Sequence, residues 1–276
     1  MSKTQITYTV ASISEYLKLA ERFTEEWFPR ETTWGPWFRG QSDAAWALRP
    51  SMYRYSRLKR HIRDLEDEMR QEFIVRAPSL GPERPQNSWE WYFLMQHSGA
   101  PTRLLDWTES ALIALFFAVK GKGPKNGTDA AVWILEPWRL NESAANIKEV
   151  IAPGAELGMV AKHAKRYRPW LPDRYSNTKS LRKQFPIAIY PTHFSRRISS
   201  QRSCFTVHGS DSDGFNHLPA TFGKYLIKVI IPAKEAHAIE KNLSVAGVDE
   251  VTIFPDLDGL GRWLAAVLRD EWIDKS

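Results

Sequence analysis

Short apolar runs rich in Val and Ile are interspersed with segments of helical periodicity, and this mixture constrains the fold most. The runs at 130–135 and 225–231 have the composition of buried strands. Capping signals or helical spacing mark the segments 12–28, 57–77, 88–99, 108–120, 233–246 and 255–272. Strands and helices do not alternate regularly, as they would in a parallel βαβ sheet. We therefore predict an α+β domain with a mixed, mainly antiparallel sheet and flanking helices.

Five finer predictions follow from local composition. We expect strands at 34–40 and 251–254, and a helix at 108–120 that begins at Asp106 or Thr108. The charged face of the 57–77 helix is typical of a solvated surface. The leucines of the 255–272 helix are expected to face the core.

No segment has the composition of an interdomain linker, so we predict one domain over residues 1–276, with a core at about 30–265. Residues 141–183 are irregular and polar. Within them, 162–183 holds eight basic residues opposed by Asp173 alone. We interpret 141–183 as a basic insertion.

Composition excludes several classes of protein. The chain is 43% hydrophobic and 25% charged, which excludes disorder along its whole length. The single cysteine, Cys204, excludes an internal disulfide or a zinc site built from cysteines, and scattered histidines lead us to predict no metal. The chain has no run long enough to span a membrane and no signal-like start, so we expect a cytoplasmic protein without a membrane partner. The net charge of +6 permits an anionic partner.

Three segments, 37–42, 95–108 and 253–260, combine polar and aromatic residues in unusual density. Together they resemble the FRG domain family, which is named after the triplet that stands here as Phe38, Arg39 and Gly40. The run Thr-Arg-Leu-Leu-Asp-Trp-Thr at 102–108 is the most specific part of the likeness. A further element is similar at 197–205, and the resemblance extends over about 37–260.

This resemblance implies a mostly bacterial, cytoplasmic family, some of whose members occur in defence or toxin-like contexts. The order of its elements is similar to that of ADP-ribosyltransferases, which place a basic residue on an early strand, a hydroxyl in the middle and a Gln or Glu late. An ADP-ribosyltransferase-like core is therefore a further expectation. The resemblance implies an effector that uses NAD, as an ADP-ribosyltransferase or an NAD glycohydrolase.

Cleavage of NAD needs a cation for the pyrophosphate and a carboxylate or dipole facing an oxocarbenium-like carbon. We expect Arg39 and Arg103 to hold phosphates, and Gln201 or Glu250 to face the reacting carbon, with His97 as a candidate acid or base. The remaining candidates for contact with the cofactor are Phe38, Gly40, Asp106 and Thr108.

Each candidate also has a structural interpretation, and the sequence leaves both open. Arg39 can pair with Asp106, Arg103 can neutralise an internal carboxylate, and Asp106 can cap a helix. His97 near a helix end is typical of a cap or a polar core group. Glu250 alone is typical of a solvent-facing residue.

Two other functions remain open. In the stretch 162–183, basic residues that include Lys165, Arg166 and Arg168 are interleaved with the aromatic residues Tyr167, Trp170 and Tyr175. This pattern suits a nucleic acid whose phosphates bind cations while its bases stack. The third hypothesis is a non-enzymatic sensor or scaffold of a defence system, in which the motifs only hold the fold.

Overall fold

The computed structural model describes residues 5–30, 33–55, 62–81, 84–121, 127–153, 167–170, 184–192 and 196–273. In this part of the chain, seven strands form one sheet. They are β1 (Thr7–Thr9), β2 (Trp37–Gln41), β3 (Leu104–Thr108), β4 (Ala130–Leu135), β5 (Ile187–Ile189), β6 (Ser203–Val207) and β7 (Leu226–Ile231). Their order across the sheet is β1-β7-β4-β2-β3-β6-β5.

The edge strand β1 runs parallel to β7, and every other neighbouring pair is antiparallel. The described helices flank this sheet. They are α1 (Ile13–Trp27), α2 (Ile62–Arg76), α3 (Ser88–His97), α4 (Ala111–Val119), α5 (Pro137–Ala145), α6 (Arg196–Ser200), α7 (Gly214–His217), α8 (Ala233–Val245), α9 (Glu250–Ile253) and α10 (Leu257–Ile273). The predicted class, α+β with a mainly antiparallel sheet, is confirmed.

One face of the sheet carries two separate apolar clusters. Helices α1, α4 and α8 cover the first, in which Val132 and Val229 pack with Phe116. Helix α3 covers the second, where the rings of Phe93 and Phe205 stack with centroids 5.3 Å apart. The division between the clusters falls between β2 and β3, at the middle of the sheet. The opposite face buries one cluster beneath α5, α7 and the short 3-10 helix Ala220–Tyr225.

The predicted helix start at Asp106 or Thr108 is wrong. These residues belong to β3, which pairs with β6 along its whole length, from Leu104 opposite Val207 to Thr108 opposite Ser203. Helix α4 begins only after Ser110, whose Oγ accepts a hydrogen bond from the backbone N–H of Ile113 at 3.4 Å. A full ladder of backbone hydrogen bonds outweighs the local capping preference of an Asp or a Thr.

The end of the chain also differs from the sequence predictions. Residues 250–253 form the helix α9 rather than a strand, because Asp249 and Thr252 make a reciprocal capping box. Helix α10 packs against α9, and its leucines face solvent rather than the core, with Leu257 84% and Leu268 68% exposed. Among the described helices, none combines the length and apolarity that a membrane crossing requires.

His208 is fully buried, and neither ring nitrogen has a hydrogen-bond partner in the described part of the chain. Burial, reinforced by the charges of Arg103 and Arg39, lowers the pKa of His208 to about 3. Its ordinary value is 6.5, so the unfolded chain binds a proton more readily than the folded protein below that pH. Above about pH 6.5, His208 is neutral in both the folded and the unfolded state and does not reduce the stability. As the pH falls from 6.5 toward 3, the unfolded chain binds a proton that the folded protein does not, and the free energy of unfolding decreases.

We therefore expect the free energy of unfolding to fall by about 2 kcal/mol because of His208 when the pH is lowered from 7 to 5. Urea unfolding of the wild type and of His208→Gln at both pH values measures this loss. The variant is expected to lose less stability than the wild type over the same interval. Equal losses would show that His208 does not cause the acid sensitivity.

Candidate functional site

Strands β2 and β3 meet at the centre of the sheet and then separate. Phe38 and Thr108 are opposite one another, and they are the one residue pair that joins these two fully described strands. Continued pairing would place Gly40 opposite Asp106, but the Nη1 of Arg39 donates instead to the backbone carbonyl of Asp106 at 2.6 Å. The separation opens a cleft of about 590 Å³ between β2, β3, α4 and the C-terminal end of α3.

Arg39 is a cation held inside this cleft. Its side chain is 15% exposed, and Nη1 lies 3.9 Å from Oδ2 of Asp106. The Nε atom is buried and has no hydrogen-bond partner among the described residues. Burial lowers the pKa of Arg39 to about 10, a shift that Asp106 opposes and Arg54 increases. The guanidinium therefore stays charged at neutral pH, and Arg39 lines the cleft as a cation.

A chain of hydrogen bonds orients Asp106 at the cleft wall. The Oγ1 of Thr102 donates to Oε1 of Gln96 at 2.5 Å, and Nε2 of Gln96 donates to Oδ2 of Asp106 at 2.8 Å. The Asp106 side chain is 56% exposed, and no donor from the described residues reaches its Oδ1. One carboxylate oxygen is thus fixed by the protein, and the other faces the space of the cleft.

Thr108 and Gln201 are hydrogen-bonded to each other at the cleft. The Oγ1 of Thr108 donates to the backbone carbonyl of Gln201 at 2.7 Å and accepts from the N–H of Ser110 at 3.0 Å. The Nε2 of Gln201 donates to the carbonyl of Ile253 at 3.4 Å. Both residues line the cleft, as does the half-buried His97 at the end of α3. Arg39, Asp106, Thr108, Gln201 and His97 therefore do converge.

The three residues of the Phe-Arg-Gly triplet have different structural roles. Phe38 is 4% exposed and belongs to the core beneath α4. Arg39 points the other way, into the gap between the strands. Gly40 lets β2 approach α4 closely, because a Cβ at this position would lie 2.0 Å from the carbonyl oxygen of Ala114 and 2.6 Å from the nitrogen of Ala118. Its absence of a side chain therefore serves packing against α4.

Gly40→Ala is expected to lower the free energy of unfolding by about 3 kcal/mol, because the added methyl group overlaps the backbone of α4. Urea unfolding measures the change. Gly35→Ala is the matched control, since nothing lies within 4 Å of a Cβ at that position. Equal stabilities of the two variants would contradict the close packing.

Arg103 does not reach the cleft. Its side chain is fully buried, and Nε donates to both carboxylate oxygens of Glu66, at 3.0 and 2.8 Å. The other guanidinium nitrogens donate to the carbonyls of His208 at 2.5 Å and Trp170 at 3.2 Å. Arg103 thus neutralises an internal carboxylate, and this placement corrects its expected role in holding a phosphate. Glu66 is 1% exposed, so the solvated face predicted for 57–77 is wrong at this position.

Glu250 also lies outside the cleft. Its carboxylate forms ion pairs with Lys120 and with Nε of Arg262, the latter at 3.2 Å, and its side chain is 11% exposed. Its position in α9, rather than before a strand, brings it against Lys120 at the end of α4 and Arg262 of α10, and not to the cleft. The expectation that Glu250 faces a ligand carbon is therefore corrected.

Sequence reasoning assigned no role to three cleft residues, Trp46, Arg54 and Gln96. Gln96 belongs to the motif at 95–108, and Trp46 and Arg54 lie a short distance after the motif at 37–42. These positions in or near the motifs were the available signal. Their role depends on the turn after β2 and the end of α3, which bring them to the cleft.

The basic insertion is only partly described. Lys165, Arg166 and the side chain of Arg168 lie outside the described residues. Tyr167 is fully buried and Trp170 is 6% exposed, so neither indole nor phenol is available to stack on bases. Burial of these two rings argues against their part in the nucleic-acid interpretation, while Tyr175 lies outside the described residues. Among the residues that the structure describes, no group of three His, Cys, Asp or Glu could hold a metal ion.

Comparison with known proteins identifies one part of the chain. The family model described as the FRG domain matches residues 35–127, a segment that includes β2, β3 and α4. Comparisons with curated proteins and with solved structures found no match. The matched segment supplies Arg39, Asp106 and the strands that separate around them. Over residues 35–127 the chain is therefore similar to the FRG domain.

Proposed function

We propose that the cleft binds NAD and cleaves the bond between nicotinamide and ribose, so that the protein acts as an ADP-ribosyltransferase or an NAD glycohydrolase. The observation that carries the proposal is the charged guanidinium of Arg39 beside the exposed carboxylate of Asp106 in one cleft of about 590 Å³. A cation that binds pyrophosphate and an anion that faces a developing positive charge are the two groups this reaction needs most.

In this reaction the glycosidic C–N bond breaks and its electron pair leaves with the nicotinamide nitrogen. The ribose carbon develops oxocarbenium-like charge, which the free oxygen of Asp106 stabilises. Water or an acceptor then attacks that carbon and loses a proton, for which His97 is the candidate base. Arg39 binds the pyrophosphate and holds the sugar in place.

Gln201 is the second group that can face the reacting carbon. Its amide offers a dipole, which stabilises a positive charge less than the full charge of Asp106. Asp106 therefore takes the role that sequence reasoning divided between Gln201 and Glu250. Consumption of NAD suits an effector of the defence or toxin-like kind that the family resemblance implies.

Incubation of the purified full chain with NAD, followed by chromatography for free nicotinamide with and without protein acceptors, tests the proposal. Release of nicotinamide is expected. Arg39→Gln should lower kcat/KM about 100-fold, because it removes the charge that holds the phosphates. Arg76→Gln, which changes an exposed arginine outside the cleft, should leave kcat/KM unchanged.

Two outcomes would count against the proposal in different ways. Absence of nicotinamide release together with absence of any thermal stabilisation by NAD would contradict both binding and cleavage. Stabilisation by NAD without release would contradict the enzymatic step and favour a sensor that binds the nucleotide.

A further inference from the structure

Trp46 and Arg54 lie at the edge of the cleft and have no part in the chemistry proposed above. The indole of Trp46 is 52% exposed, although the chain buries most of its other large aromatic groups. The Arg54 side chain is also exposed and lines the same cleft. An exposed aromatic ring and a guanidinium that line one cleft are a combination that can bind a base and its phosphate.

A tight turn after β2 fixes the position of Trp46. The N–H of Trp46 donates to the carbonyl of Asp43 at 3.2 Å, and the N–H of Ala45 donates to Oδ1 of Asp43 at 2.8 Å. The N–H of Ala44 donates across to the carbonyl of Asp129 at 2.8 Å. The turn is thus anchored to the chain that precedes β4, and the ring is held at the cleft with little freedom of its backbone.

The short 3-10 helix Ser51–Arg54 fixes the position of Arg54. The N–H of Met52 donates to the carbonyl of Thr102 at 3.1 Å, and the N–H of Thr102 donates to Oγ of Ser51 at 3.2 Å. These bonds tie the helix to the start of β3. The Nε of Arg54 donates to the carbonyl of Arg49 at 3.0 Å, which leaves its two terminal nitrogens for other partners.

The charges in the cleft are not balanced. Arg54 makes no ion pair with any described residue, and its positive charge contributes to the lowered pKa of Arg39. Asp106 is the one carboxylate among the described residues that line the cleft. Two guanidinium groups that share a cleft with one carboxylate leave a net positive charge there, and the two cations repel each other. An anion bound between them offsets this repulsion, so the cleft attracts anions.

We infer that Trp46 and Arg54 form an outer subsite for a nucleotide, in which the Trp46 ring stacks on the base and Arg54 binds the adjoining phosphate. In the proposed reaction this subsite receives the ADP half of NAD, an assignment that rests on the proposed function. Arg39 then binds the pyrophosphate farther in, and the nicotinamide ribose lies beside Asp106.

Calorimetric titration of the full chain with ADP and with inorganic pyrophosphate separates the two contacts. Trp46→Ala should weaken ADP binding about tenfold, the size of one base–aromatic stack, and should leave pyrophosphate binding unchanged. Trp46→Phe should retain most of the affinity for ADP because it keeps an aromatic face. Arg54→Gln should weaken the binding of both ligands about tenfold.

The matched controls are Trp34→Phe, at an indole 45% exposed outside the cleft, and Arg76→Gln. Neither should change the affinity for ADP. Unchanged ADP binding in Trp46→Ala, or no binding of ADP to the wild type, would overturn the subsite. These binding results do not depend on turnover. ADP binding that depends on Trp46, without nicotinamide release, would contradict the proposed enzymatic activity alone. Nicotinamide release that is unaffected by Trp46→Ala would contradict the subsite alone.

Discussion

Asp106→Asn is expected to lower kcat for nicotinamide release about 100- to 1,000-fold, because the substitution removes the negative charge that faces the developing oxocarbenium-like carbon. The change is nearly isosteric, and an amide at this position can still accept the hydrogen bond from Nε2 of Gln96. We therefore expect the variant to fold normally and to bind ADP-ribose within about threefold of the wild type. Steady-state kinetics with NAD and calorimetry with ADP-ribose measure the two quantities separately.

Glu142→Gln provides the control for loss of a carboxylate on the surface, since Glu142 pairs with Arg139 away from the cleft and its side chain is 36% exposed. Its kcat should equal that of the wild type. If Asp106→Asn keeps full kcat, Asp106 does not stabilise the reacting carbon. A large loss of ADP-ribose affinity instead of kcat would mean that Asp106 acts in binding.

Arg103→Met is expected to lower the free energy of unfolding by about 4 kcal/mol, because it leaves the buried carboxylate of Glu66 without its counter-ion. The substitution also removes the donors to the carbonyls of His208 and Trp170. Urea unfolding at neutral pH measures the loss. Arg76→Met is the control, since both partners of the Arg76–Glu72 pair are more than half exposed and such pairs contribute at most about 1 kcal/mol.

A double variant distinguishes a structural role of Arg103 from a role in binding. Replacing both charges, as Arg103→Met with Glu66→Leu, should recover part of the lost stability, since a buried pair can often be replaced by apolar groups. The folded double variant should keep nicotinamide release within a few fold of the wild type. A folded double variant without activity would indicate that Arg103 acts in ligand binding.

The motifs predicted part of the cleft, although the predicted site residues Arg103 and Glu250 lie outside it. Arg39, His97, Asp106, Thr108 and Gln201 come from three separated parts of the chain, and the cleft receives all of them. The strand predictions at 130–135 and 225–231 are confirmed because runs of Val and Ile leave few alternatives to a buried strand.

The sequence allowed Arg103 to neutralise an internal carboxylate, but it could not identify that carboxylate as Glu66. Glu66 precedes Arg103 by 37 residues and stands among Asp64, Asp67 and Glu68 on a helix with exposed charges. Only the packing of α2 against α3 selects Glu66 for burial. Glu250 was misplaced for a related reason, since the composition of 251–254 favours a strand while the Asp249 cap makes it a helix.

The leucines of α10 show the limit of helical periodicity. Leu260, Leu264 and Val267 have the spacing of a buried face, yet each is at least 40% exposed. Periodicity predicts which residues share a face of a helix. It does not predict whether another element covers that face, which depends on the tertiary arrangement of the chain.

A crystal structure of the full chain with ADP-ribose tests the central claim, that the separation of β2 and β3 creates a nucleotide site. We predict the pyrophosphate within hydrogen-bond distance of the Arg39 guanidinium, the terminal ribose beside Oδ1 of Asp106 and the adenine on the ring of Trp46. ADP-ribose bound elsewhere, with the cleft between Arg39 and Asp106 empty, would contradict it.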